Sequence, residues 1–334
     1  MWALAVALII ALASAVALRR HAEAPQRAGE EYLAALAAGD RETLRALGAW
    51  SPGDSSTLLL DREGTVPTTG LLEELRVEGG ERHAQDRDLE VTATQDGRQL
   101  SGRVRATAVT DPEPGAPRWQ LPSLAPGALL IDLPEEVSAA RVNGVEISAE
   151  DLRGADRPLE LLAIPGDYTV EAVPASEHLV AAPQEVQVLA AFADHDHPVA
   201  RVDPRLLFTP EAVAGVRADA LAERDLCAEE RERFTGCGAA LGLLAEGERG
   251  GTVHWEFDDE PELEVDYRGS GVGFVDTASY ADGGGPTATV TLTPAGGGQP
   301  RALEVRYRIA GNVTLEDDGS LSTEIALEAD AVAP

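Results

Sequence analysis

Hydrophobic positions change their spacing several times along the chain, and each change marks an expected element. Residues 1–18, "MWALAVALIIALASAVAL", contain no charged side chain. A run of that length sits at the lower edge of what crosses a bilayer as a helix. From 24 to 50 the apolar positions recur at helical spacing, with Tyr32, Leu33, Leu36, Leu44 and Leu47 forming one face. Gly39 interrupts the pattern and Asp40 stands where a cap opens a second helix, so two short helices are expected. After a polar loop from Ser51 to Gly70, residues 88–110 alternate in two runs joined by Asp96-Gly97, a hairpin dipeptide. "PRWQL" at 117–121 reads as a further strand with Trp119 in the core.

Residues 123–202 have another texture. "GALLIDLP", "SAARVNGVEIS" and "PLELLAIPGDYTVEAVP" are short apolar or alternating runs punctuated by Asn143-Gly144 and Pro165-Gly166. This pattern predicts a small antiparallel β-sandwich. Farther on, Thr209, Pro210 and Glu211 have the composition of an N-cap, a first-turn proline and a first-turn acid. A helix is expected through "EAVAGVRADALAERDLCAEERERF", with Val213, Val216, Ala220 and Cys227 facing inward and Gly236 and Gly238 ending it. Alternating runs complete the chain, with a hairpin at Asp318-Gly319. The expected class is α+β in four parts. A transmembrane or signal helix covers 1–21, and a helical pair with a curved antiparallel sheet covers 22–122. A small β-sandwich covers 123–202, and a helix with an antiparallel sheet covers 203–334.

Charge narrows the partners. The chain has 334 residues and a formal net charge of −31, and all 27 basic residues are Arg. Absent lysine fits the Ala, Gly and Arg drift of a high-GC genome. So acidic a surface repels phosphate backbones and anionic head groups, which argues against nucleic-acid partners and peripheral electrostatic attachment to membranes.

Arg19 and Arg20 follow the apolar run and no basic residue precedes it, so the positive-inside rule alone keeps the body cytoplasmic. A basic segment upstream of Met1 resolves this conflict, and the expected arrangement is an uncleaved anchor with an extracytoplasmic body. A cleaved signal, for which Ala13 and Ala15 or Ala15 and Ala17 supply an Ala-x-Ala pattern, and a cytoplasmic body are the alternatives. The only cysteines, Cys227 and Cys237, lie ten positions apart. In an exported chain a disulfide between them is the expected state. Two buried free thiols are the alternative, and the spacing matches no zinc pattern.

Two resemblances accompany these readings. The helical pair feeding a sheet, "EEYLAALAAGDRETLRAL" above all, resembles the start of nuclear transport factor two-like domains, over about a third of the chain. That family includes enzymes and binding modules, and none of its catalytic constellations is present to carry over. "VNG" followed by "IPGDYTVEA" resembles small β modules of bacterial surface proteins, including the teicoplanin-resistance-associated membrane proteins of Gram-positive bacteria. The Cys-bearing helix, second Cys and Trp-bearing strand resemble the C-terminal portions of membrane-anchored extracytoplasmic proteins of high-GC Gram-positive bacteria. No activity comes with that likeness.

The chain holds no Gly-x-x-x-x-Gly-Lys loop, no Gly-x-Ser-x-Gly elbow and no His-Glu-x-x-His pair. "GSGVGF" at 269–274 imitates a dinucleotide loop, but strand-like residues follow it. In "DHDH" at 194–197, His195 and His197 would share one side of a strand and Asp194 and Asp196 the other. Further ligands would have to come from His178 or His254, and a solvated linker is the expected reading. The acidic runs at 256–266 and 316–319 lack calcium-loop register and are expected as strand ends and turns. No catalytic, cofactor-binding or metal-binding residue is assigned. The expected function is binding or scaffolding at the cell envelope. The partners are the membrane, through the N-terminal helix, and envelope proteins or cell-wall components. The alternatives are a secreted or anchored enzyme with a pocket around Tyr32, Trp50 and Trp119, and an envelope sensor.

Overall fold

A computed structural model describes residues 24–47, 57–83, 86–109, 118–121, 127–153, 158–190, 192, 199–229, 231–232, 251–278 and 284–331. The apolar segment at 1–21, Trp50, the "DHDH" run and Cys237 lie outside them. The chain is mostly β, and its sheets are built chiefly from antiparallel pairs. No described helix is long and apolar enough to cross a membrane. Two compact units form, one within Met1–Leu133, Ser138–Ala172 and Pro183–Pro204, the other within Pro134–Val137, Val173–Ala182 and Arg205–Pro334.

The first unit opens with α1 (residues 24–38) and α2 (Arg41–Ala46). Gly39 takes φ +66 between them, and the Asp40 carboxylate caps α2 by accepting the Glu42 and Thr43 N–H groups at 3.1 Å. After α3 (Leu58–Asp61) come β1 (Glu73–His83), β2 (Asp86–Gln95), β3 (Arg98–Val109) and β4 (Arg118–Gln120), an antiparallel sheet in that order. Burial on β2 falls at Leu89, Val91, Ala93 and Gln95, the period of a sheet with one face on the core. Leu33 and Leu36 of α1 share one core with Leu89, Val91 and Val104. α1 lies tight on the sheet at Gly29, where a Cβ would sit 2.8 Å from Leu89 Cδ1. β1 was not expected: "EELRVEGGERH" has two glycines and only two apolar residues, and its ladder comes from pairing with β2.

The same unit continues through β5 (Ala128–Ile131), β6 (Val137–Val142), β7 (Val145–Ser148), α4 (Ala149–Leu152), β8 (Glu160–Leu162) and β9 (Gly166–Pro174). β10 (Leu179–Ala181) belongs to the second unit, while β11 (Gln184–Val188) and β12 (Val199–Val202) return to the first. Two sheets result, β11-β9-β6-β7 and β12-β5-β8. The expected sandwich was wholly antiparallel, whereas β12 pairs with β5 in parallel. These strands enter and leave the segment, and a chain that enters and leaves in the same direction brings them side by side in parallel. Ile164, Ala190 and Phe192 join the core of the helices and first sheet, so both parts share one interior.

In the second unit β13 (Leu206–Phe208) leads into α5 (Pro210–Ala228). The Thr209 hydroxyl accepts the Ala212 N–H at 3.2 Å and Pro210 occupies the first turn. Ala212, Val216, Ala220 and Cys227 are buried, with Ala212 replacing the expected Val213. α5 also stops sooner than expected. Its last turn has no basic residue to meet the C-terminal dipole, and Arg231–Glu232 forms β14, paired with Thr252 and Val253. β15 (Thr252–Phe257), β16 (Leu263–Gly269), β17 (Val272–Thr277), β18 (Thr287–Thr293), β19 (Arg301–Leu315) and β20 (Leu321–Ala331) complete a seven-stranded sheet. β19 pairs with β18 through its first half, with β17 through its second, and with β20 along 305–315.

Candidate functional site

Register sets the floor of the candidate site. β11 pairs with β9 so that Gln187 lies opposite Asp167 and Glu185 opposite Thr169. Opposed residues share a face, while Tyr168 and Val170 between them are buried on the other. The sequence "DYTVEA" therefore puts a polar two-by-two patch on the outer side of this sheet.

The wall is the loop from Gly64 to Gly70, pinned along its length. Asn143, at φ +49 in the β6–β7 turn, donates its side-chain N–H to the Thr65 carbonyl at 2.9 Å. Its Oδ1 accepts the Thr169 N–H at 2.9 Å, tying the same turn to β9. The Asp167 N–H donates to the Thr69 carbonyl at 3.0 Å. Gly70, at φ +63, has no Cβ, and one there would lie 2.4 Å from Asp167 Oδ1. Wall and floor bound a cleft of about 710 Å³, inside the ~300–1,000 Å³ range of small-molecule sites.

Hydrogen bonding fixes some of its groups and leaves others open. Gln187 Nε2 donates to Asp167 Oδ1 at 3.1 Å and to Asp96 Oδ2 in the β2–β3 turn. The hydroxyls of Thr68, Thr69 and Thr169, the Glu185 carboxylate and Gln187 Oε1 have no hydrogen-bond partner among the described residues. Among the described residues, Asp167 and Glu185 are the charged side chains lining the cleft, and no basic one joins them. A smaller depression of about 340 Å³ lies on β1 and β2 around Glu74, Arg76 and Thr94.

The groups singled out in the sequence lie elsewhere. Cys227 is buried on α5 and is not a free thiol. Tyr32 is 1% exposed within the first core, and burial holds its hydroxyl far above the usual phenol range. Trp119 packs half-buried against that core. Among the described residues neither Tyr32 Oη nor Trp119 Nε1 has a hydrogen-bond partner. Leucine, valine and alanine side chains fill this region around them. His178 and His254 belong to the second unit, and His254 is exposed on β15. Among the described residues no three metal-capable side chains gather.

Several motifs resolve into turns. Ser270, at φ +54, and Gly271, at φ +71, make the β16–β17 hairpin turn within "GSGVGF". At 316–319, Asp318 Oδ1 accepts the Ser320 N–H at 2.9 Å in the β19–β20 turn. In the second unit Tyr267 is pushed up to about 12, first by burial and then by its hydrogen bond with Glu136.

Sequence reading missed the cleft. The alternation of β9 and β11 and the Asn143-Gly144 turn were visible, but the loop that walls them is joined to that turn by the Asn143–Thr65 clasp across 78 residues of sequence. Comparison with protein-family models, curated proteins and solved structures finds no match for the chain.

Proposed function

We propose that the chain is a membrane-anchored extracytoplasmic protein that binds or scaffolds at the cell envelope, with the cleft on β9 and β11 as its recognition site. The observation that carries the binding reading is the cleft itself, whose walls are tied down while five of its polar groups remain open. Such preorganisation lowers the ordering cost of binding. Tyr32 itself is enclosed by leucine, valine and alanine side chains of the first core. The uncharged run at 1–18 supports the anchor. Cys227 is not free and Cys237 is the one other cysteine, which supports a bond between them and an oxidising location. The membrane partner is reached through the N-terminal helix, and envelope proteins or cell-wall components are the remaining partners.

Protease added to intact protoplasts of the native host tests the placement. Loss of the body with an intact cytoplasmic marker is the expected result. A body protected until lysis contradicts it.

A further inference from the structure

We infer that the cleft on β9 and β11 takes a neutral, polyhydroxylated ligand, namely a stretch of uncharged glycan. This rests on reading the cleft as a recognition site and names the chemistry it selects.

The open groups decide the class. Glu185 and Gln187 Oε1 only accept hydrogen bonds, and the Thr68, Thr69 and Thr169 hydroxyls both donate and accept. A ligand dense in O–H donors that also accept satisfies this set, and adjacent sugar hydroxyls have that property. An anionic ligand is disfavoured, because Asp167 and Glu185 line the cleft, Asp96 meets Gln187 of its floor, and among the described residues no basic side chain lines it. A simple cation is disfavoured for a different reason. Glu185 is exposed, Asp167 Oδ1 is already engaged by Gln187, and an exposed ion pair contributes little in water. Val66 on the wall offers apolar contact to the C–H face of a sugar ring.

The geometry suits an extended chain more than a deep-buried small molecule. Floor residues are spaced along two strands, and the wall is held at Thr65, Thr69 and Gly70. Each end of the Asp167–Gln187 pair is fixed before a ligand arrives, so its open Oε1 is already aimed.

The test uses the full chain in a detergent without a sugar headgroup. Calorimetric titrations would use cellotetraose, mannotetraose and tetra-N-acetylchitotetraose, with trigalacturonate and spermidine as charged probes, alongside a broad array of neutral glycans. Binding of at least one neutral glycan is expected. Thr169→Ala and Glu185→Ala, both at exposed positions, should each weaken it about tenfold, the scale of one lost hydrogen bond, with the thermal midpoint unchanged. Retention of no neutral glycan, binding only of a charged probe, or binding unmoved by both variants overturns the inference. Binding in solution does not depend on which side of a membrane the body occupies. Failure here therefore leaves the extracytoplasmic placement to its own test, and a cytoplasmic body would leave glycan binding standing.

Discussion

Gln95 is fully buried at the end of β2, and it keeps three backbone groups satisfied. Its Nε2 donates to the Gly70 and Val188 carbonyls, each at 2.9 Å, and its Oε1 accepts the Ala190 N–H at 3.2 Å. Replacing it by Ala strands those groups, so Gln95→Ala should lower unfolding free energy by about 2–3 kcal/mol in urea titration. A loss below about 0.5 kcal/mol would mean water takes over its bonds. Tyr32 is the opposite case, since its buried hydroxyl has no partner among the described residues. Tyr32→Phe should leave stability within about 1 kcal/mol of the parent or raise it; a larger loss would reveal a partner for the hydroxyl. Asp276 meets Arg308 through two close carboxylate–guanidinium contacts, at 2.6 and 2.5 Å, which hold its carboxyl below the usual range. A depressed folded value means the pair's stabilisation is present above the unfolded carboxylate value, ~3.9, and is lost as pH falls through the lower folded value. Asp276→Asn should cost about 1 kcal/mol near neutrality, as suits a partly exposed pair. The difference from the parent should shrink in acid, read by urea titration at several pH values. At this scale the inward position of Gln95 was visible in the Leu89, Val91, Ala93 alternation. Its partners were not, because Val188 and Ala190 lie more than 90 residues away.

Local chemistry predicted the elements whose signals are local. Asp96-Gly97 and Asn143-Gly144 adopt positive φ and turn β2 into β3 and β6 into β7. Thr209, Pro210 and Glu211 open α5 as their composition implied. Thr209→Ala should cost about 1 kcal/mol by removing that cap, and an unchanged thermal midpoint would show the cap to be redundant. Asn143 does more than turn the chain, because it clasps both Thr65 and Thr169. Asn143→Ala should therefore destabilise by about 2 kcal/mol and increase proteolysis of the 62–70 loop; equal proteolysis in both proteins would detach that loop from the turn. What local pattern did not reveal was partner choice. The parallel pairing of β12 with β5 and the shift of β19 from β18 to β17 depend on how distant segments meet. Nor did charge periodicity show that α5 yields to a strand at Arg231.

At the scale of the molecule, the mostly β architecture with its antiparallel sheets fits the expected α+β class only loosely, while each unit gathers segments from separate stretches of the chain. Short alternating runs reveal how many strands to expect; which of them share a core is set by long-range packing, as when Phe192 joins the interior of the first helices. The cleft follows the same logic, with a floor readable from alternation and a wall that only the fold supplies. The proposed placement of this body outside the cytoplasm has a direct test in thiol trapping in intact native cells. A mass-tagged maleimide should label Cys227 and Cys237 only after a reductant is added. Labelling of both on lysis without reductant would contradict the disulfide and return the body to the cytoplasmic side that Arg19 and Arg20 favour.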